Sequence, residues 1–219
     1  TPLYDDYKDG KYSPYSDEDM IKVLTEVKKN VPRWMRIMRV QREISPSEIL
    51  AGPKLGNLRQ IVHKNLEKEG LSCKCIRCRE AGLSKKIVPF DELKFNREDY
   101  LSSGGKEVFL SYDDIYDSIY GFLRLRYPSE KAHREEISQN TCIVRELHVY
   151  GKSLKLGERL QNEIQHLGLG KNLMNHAEKI SREEFDAREL LVISAVGTRE
   201  YYKKLGYSLY GPYMAKELF

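Results

Sequence analysis

Gln165-His166-Leu167-Gly168-Leu169-Gly170, running on into Lys171-Asn172-Leu173-Met174-Asn175-His176-Ala177-Glu178-Lys179-Ile180, is the stretch on which the reading of this chain turns. A turn rich in glycine lets successive backbone N–H groups converge without obstruction by Cβ atoms. At a helix N-terminus such groups make a ready anion site. Leu173, Met174, Ala177 and Ile180 recur at helical spacing and leave a charged outer face. A helix therefore starts at the glycines, with the positive end of its dipole toward whatever anion the turn holds. The pattern alone, Gln or Arg, two residues, Gly, one residue, Gly or Ala, arises readily by chance. Its neighbours give it weight.

Glu189 to Val196 is a compact apolar run of strand length, and Thr198 to Leu205 reads as a short helix closed by Gly206. Upstream, Cys142 to Tyr150 reads as a strand whose alternation puts Glu146 and His148 on one face. Strand, Gly-rich turn, helix, strand, helix, then Lys204-Leu205-Gly206-Tyr207 resembles the core of the GNAT N-acetyltransferase superfamily. The resemblance implies an α/β (α+β) fold with a mixed central sheet flanked by helices, and acetyl-CoA held by Gln165, Gly168, Leu169, Gly170 and Lys171. It also implies a bulged, splayed strand on which Glu146, Leu147, His148 and Val149 line the acetyl arm. Acyl transfer builds negative charge on the carbonyl oxygen, and an N–H aimed there is a large catalytic term. Glu146 and His148 are candidate bases, acting directly or through one water. The competing reading of that pair is a solvated or ion-paired sheet face.

By the same resemblance Tyr202 is the phenol that protonates the departing thiolate. A phenol stays protonated at neutral pH and can donate. Tyr201, its helical neighbour, points elsewhere and is expected in the core.

Cys73-Lys74-Cys75-Ile76-Arg77-Cys78 is the second chemical signal. Three thiols so close together, with no secretory feature, argue for metal over disulfides. Zinc takes four soft or borderline ligands in a tetrahedron, and Cys73, Cys75 and Cys78 supply three. His63 is chosen as the fourth because it is nearer in sequence than His133, His148, His166 or His176. An iron–sulfur cluster and three free thiols remain as alternatives, although Cys-x-Cys-x-x-Cys fits no standard ferredoxin run. Cys142 reads as a small buried hydrophobe.

The N-terminal part differs in character. Ser16-Asp17-Glu18-Asp19 is a capping box leading into Ile21, Val23, Leu24 and Val27. Trp34 to Ile44 nearly alternates apolar and basic residues, as in a strand, and gathers Arg33, Arg36, Arg39 and Arg42. Gly56-Asn57-Leu58-Arg59 opens another basic helix through His63 and Lys64. Such a set suits phosphate contacts, as it also suits a solvated rim. Phe90 to Tyr100 reads as charged and irregular. Glu107–Tyr112 and Ile119–Arg126 then read as two antiparallel strands joined across the acidic turn 113–117. Lys152 to Ile164, with Lys155 and Arg159, reads as a flexible polar connector, or alternatively a lid or RNA-facing loop.

Asn57-Leu58-Arg59, Cys78-Arg79-Glu80-Ala81-Gly82, Phe109-Leu110-Ser111-Tyr112, Gly121-Phe122-Leu123-Arg124-Leu125-Arg126, Val144 to Gly151 and Gly211-Pro212-Tyr213-Met214 sharpen the resemblance to one family. Together they resemble the Elongator catalytic subunits, tRNA wobble-uridine acetyltransferases that form carboxymethyluridine. That resemblance covers essentially the whole chain. It implies tRNA and acetyl-CoA as partners, with further Elongator-like subunits or a homodimer, and a cytoplasmic setting. It implies residues 1–70 as the truncated end of a radical-SAM-like barrel with a basic linker, 71–90 as a zinc-binding linker, and 91–219 as the acetyltransferase domain. The family's S-adenosylmethionine and 4Fe-4S cluster are not expected in this piece, because the cysteine triad that holds them is absent here.

The 219 residues carry 37 Lys and Arg against 33 Asp and Glu, a formal net charge of +4, with 40% hydrophobic residues. Mean hydropathy is −0.61. These values fit a soluble chain with no signal peptide or membrane span, and the small excess of positive charge only hints at acidic partners. Thr1-Pro2 in place of an initiator Met reads as a fragment or processed product. Two other functions compete: a GNAT enzyme acetylating a protein lysine or small amine, and a zinc-containing RNA-binding module with a vestigial CoA site.

Overall fold

The computed structural model describes residues 1–41, 44–83, 88–150 and 168–219. They form two compact units, Thr1–Cys78 and Arg79–Phe219.

The first unit is helical. It comprises α1 (Pro2–Lys8), α2 (Asp17–Asn30) and α3 (Leu58–Lys68), and α4 (Ile76–Arg79) starts at its end. Ser16 accepts from the Asp19 N–H while the Asp19 carboxylate accepts from the Ser16 N–H, so α2 starts with the expected capping box. The core of this unit is Val31, Val62, Leu66, Cys73 and Cys75, with Leu24 and Ile37 packed against it. Val23 and Val27 stay exposed while Thr25 and Lys28 are buried, so the inward face of α2 is not its most apolar one.

The described part of the alternating stretch after Trp34 forms no strand. Its carbonyls are taken singly instead: Met35 O accepts from the Ile76 N–H at 2.9 Å, and Ile37 O and Met38 O accept from Arg59 Nη2 at 3.0 and 3.1 Å. Alternation encodes a strand only where a neighbouring strand offers a ladder, and here a guanidinium does that work.

The second unit is a seven-stranded mixed sheet, in the order β1 (Lys94–Ser102), β2 (Gly105–Asp113), β3 (Ile119–Tyr127), β4 (Thr141–Val149), β5 (Glu189–Val192), β7 (Tyr213–Glu217) and β6 (Ser208–Tyr210). All neighbours are antiparallel except β4 and β5. β1 corrects the expectation of an irregular stretch. It is an edge strand with no buried residue, so its sequence lacks an apolar face, and its register is set by nine pairs with β2. β5 is shorter than the apolar run suggested: Ile193 N–H donates the last rung to Val144 O at 3.0 Å, and the chain then leaves the sheet.

One sheet face is covered by α5 (Leu169–Phe185), the helix that connects β4 to β5. Leu173, Met174, Ala177 and Ile180 meet Val108, Leu110, Leu123, Leu125, Val144, Leu190, Val192 and Met214 in a single core. The helical spacing read from the sequence is thus the packing that fixes where α5 begins. The short helix α6 (Arg199–Lys204) follows β5.

Candidate functional site

Parallel pairing of β4 with β5 runs from Thr141–Glu189 to Val144–Val192 and stops. Among the described residues β4 continues to Val149 with β3 on one side only, so beyond Val144 β4 and β5 part and no described strand pairs with the other edge of Glu146 to Val149. A bulge contributes to this. Arg124 faces Glu146 while the next residue of β3, Leu125, faces Val144, so Arg145 is the extra residue on β4. Consecutive side chains then share a side: Arg145 Nη1 bonds Glu107, itself buried and also held by Arg126, while Glu146 Oε2 accepts from Arg124 Nε at 2.9 Å. His148 stacks on Phe122 and meets Tyr150 on that same face, and Leu147 joins the core under α5. The pairing of Glu146 and His148 on one face is therefore found. The solvated or paired alternative holds for Glu146, whose charge is compensated by Arg124.

α5 begins where the gap opens. Gly168 takes a left-handed conformation at φ +76° as its N-cap, with no side-chain cap. The first helical bond is Asn172 N–H to Gly168 O, which leaves the N–H groups of Leu169, Gly170 and Lys171 without acceptors inside the helix. A Cβ on Gly170 would stand 2.8 Å from Tyr201 Oη and 3.7 Å from Val149 Cγ2. Turn, open strand edge and a phenol thus converge at one point. Gln165, His166 and the connector with Lys152, Lys155 and Arg159 lie outside the described residues.

The phenol at that point is Tyr201, which was expected in the core. Tyr202 is 6% exposed and sits in the main core, edge-on to Tyr207, while Tyr201 is 39% exposed with its hydroxyl at Gly170. On a six-residue helix one tyrosine must anchor inward, and neighbours about 100° apart cannot both do so. Burial raises the Tyr201 hydroxyl above its ordinary value and pushes Tyr202 up to about 12. Past β5, Ile193 and Val196 are exposed apolar side chains. The apolar run from Glu189 to Val196 thus extends past the end of the strand.

In the helical unit, Cys73, Cys75 and Cys78 bring their sulfurs within 4.8 Å of one another. His63 Nε2 is 3.4 Å from Cys78 Sγ, and Cys75 Sγ is 3.4 Å from Cys78 Sγ. Tetrahedral zinc with Zn–S of about 2.3 Å needs S···S edges of about 3.8 Å, so the three sulfurs fit with small adjustments, while His63 stands beside that group, next to Cys78. Bonds from Cys73 and Cys78 hold the Cys75 thiol well below its usual range, and burial followed by the Lys28 charge lowers His63. Both shifts favour ligand forms, thiolate and neutral imidazole, whereas the bonds to Cys73 and Cys75, with burial, hold the Cys78 thiol above its usual range. Lys28, unremarked in the sequence, is 0% exposed at this site, and its Nζ stands 3.2 Å from His63 Nε2, 3.6 Å from Cys73 Sγ and 3.5 Å from Cys78 Sγ. Its only signal was its place on the inward face of α2 with Ile21, Leu24 and Thr25.

No helix among the described residues is long and apolar enough to cross a membrane. Residues 1–68 match the Radical_SAM C-terminal domain family. The whole chain is 46% identical to a tRNA uridine(34) acetyltransferase of Methanocaldococcus jannaschii, of which it spans 41%, and 42% identical to human Elongator complex protein 3, of which it spans 40%. Among solved structures, an archaeal Elp3 from Methanocaldococcus infernus with an N-terminal deletion matches 99% of this chain and 52% of its own, at 46% identity and a TM-score of 0.89. The chain therefore spans about two-fifths of the length of these curated relatives, and over its whole length it is similar in both sequence and backbone to part of the tRNA uridine(34) acetyltransferases and Elongator complex protein 3.

Proposed function

We propose that this chain is the acetyl-CoA-binding part of a tRNA wobble-uridine acetyltransferase that leads to carboxymethyluridine. The observation that carries it is the convergence of the uncapped N-terminus of α5, the open edge of β4 and the Tyr201 hydroxyl at Gly170. Acetyl-CoA supplies a thioester-activated two-carbon unit when bound.

The chain's own residues divide the task. Leu169, Gly170 and Lys171 N–H groups hold the diphosphate at the helix end. The open edge of Glu146 to Val149 binds the amides of the acyl arm and sets an N–H toward the thioester carbonyl. Tyr201 donates its phenolic proton to the departing sulfur and regains one from solvent. Its raised pKa keeps that proton in place at neutral pH. His148, exposed on the face away from α5, is the better-placed base, since Glu146 is engaged by Arg124. Cys73, Cys75, Cys78 and His63 would hold a zinc ion that ties α3 to the cysteine loop. Residues 1–68 carry no cysteine, so they offer no thiolate ligands for the radical-SAM cluster.

tRNA as the partner rests on the names of the relatives. The test is turnover of radiolabelled acetyl-CoA by the chain with and without tRNA. Stimulation by tRNA supports the reading. Steady acetylation of an amine, indifferent to RNA, would favour the small-amine or protein-lysine alternative. Tight tRNA binding with no CoA affinity would favour an RNA-binding module.

A further inference from the structure

A lysine with no solvent exposure and no carboxylate beside it has to find its negative charge elsewhere. Lys28 is in that position: among the described residues its polar contacts are His63, Cys73 and Cys78, and no described carboxylate lies within ion-pair distance. Three thiolates and a neutral imidazole around a divalent ion leave one negative charge in excess, a costly residue of charge among Val31, Val62 and Leu66.

We propose that Lys28 is the built-in counter-charge of the cysteine site, a positioning residue whose ammonium donates to the Cys73 and Cys78 sulfurs and makes the loaded site neutral as a whole. This inference rests on the metal reading of the cysteine loop. Two features of the geometry favour it. The ammonium touches donors from both α3 and the cysteine loop, so it lies at their junction and not on the rim. His63 Nε2 has one lone pair, which serves either Lys28 or a metal, whereas sulfur has lone pairs to spare. Metal taken up by His63 therefore leaves Lys28 to the two thiolates. Partners of this kind around metal ligands change affinity about 10–100-fold when removed.

The consequence separates Lys28 from an ordinary core side chain. Lys28→Met keeps most of the buried stem and removes only the charge. The native chain and this variant are loaded with zinc and titrated with a competing chelator, and the thermal midpoint of each is read with and without the ion. At least tenfold easier extraction from Lys28→Met, with a smaller gain in midpoint from zinc, is the expected result. Equal extraction and an equal gain would show that the ammonium is mere packing and overturn the proposal. Should Lys28→Met fail to fold, Lys28→Gln is compared with Lys28→Arg: retention of zinc by Arg and loss by Gln supports a charge effect, and equal behaviour overturns it. A native chain that takes up no zinc at all removes instead the metal reading beneath the inference.

Discussion

The hydroxyl of Tyr201 closes on the backbone of Gly170, so closely that a Cβ there would lie 2.8 Å from it. The first turn of α5 is thereby held against a phenol from α6, and at Gly170 it also lies close to Val149, at the end of β4. Gly170→Ala forces the tyrosine tip or the helix start to move. The fold should survive, because the clash is with the far end of a side chain. Acetyl-CoA affinity by calorimetry should fall about tenfold or more, which corresponds to about 1.4 kcal/mol. Unchanged affinity would remove Gly170 from the cradle.

Exchange of the two adjacent tyrosines for phenylalanine separates chemistry from packing. Tyr201→Phe should leave thermal stability nearly unchanged and slow acetyl-CoA turnover by about 10²-fold, the lower end for a lost general acid. Tyr202→Ala should cost about 3–5 kcal/mol of stability, as expected for an emptied aromatic core position, while Tyr202→Phe turns over near the native rate. The reverse pattern in turnover would return the proton-donor role to Tyr202.

Alkaline stability follows from the same buried ring. Burial pushes Tyr202 up to about 12 and Cys142 up to about 12, and raises Tyr207 beside Glu178. In the unfolded chain a tyrosine ionises near 10 and a cysteine near 8.5, so above those values the unfolded state has released protons that the folded state retains. Stability is fully present below about pH 8.5 and is lost as pH rises toward 12, with Tyr202 contributing about 2–3 kcal/mol of the loss. Urea denaturation at pH 8, 10 and 11 reads this, and Tyr202→Phe should flatten the decline.

Zinc should report on both parts of its donor set. Cys75→Ser is expected to abolish stoichiometric zinc, measured by elemental analysis of the purified chain. His63→Ala should keep some metal but release it to a chelator about 10–100-fold more readily, since three thiolates remain. Full and tight zinc in His63→Ala would mean that another group completes the tetrahedron.

Motifs with local causes were legible in the chain. The Ser16 and Asp19 box, the start of α5 at Gly168, the hairpin of β2 and β3, and the metal-ligand spacing of Cys73, Cys75 and Cys78 all depend on residues close in sequence. Features whose cause is a distant partner were not. β1 has no buried residue and exists because β2 offers it a ladder, and the alternation after Trp34 has no such partner among the described residues and its described part stays out of any sheet.

The sequence by itself determined that a glycine-started helix follows a strand, that three thiols crowd one loop, and that a tyrosine pair stands downstream, because periodicity and spacing act over a few residues. Only the tertiary structure decided which tyrosine meets Gly170, that Glu146 is neutralised by Arg124, and that Lys28 is enclosed with the thiols and His63. Each of those is settled by the competition among side chains for a limited buried volume and for partners of opposite charge, which no single segment contains.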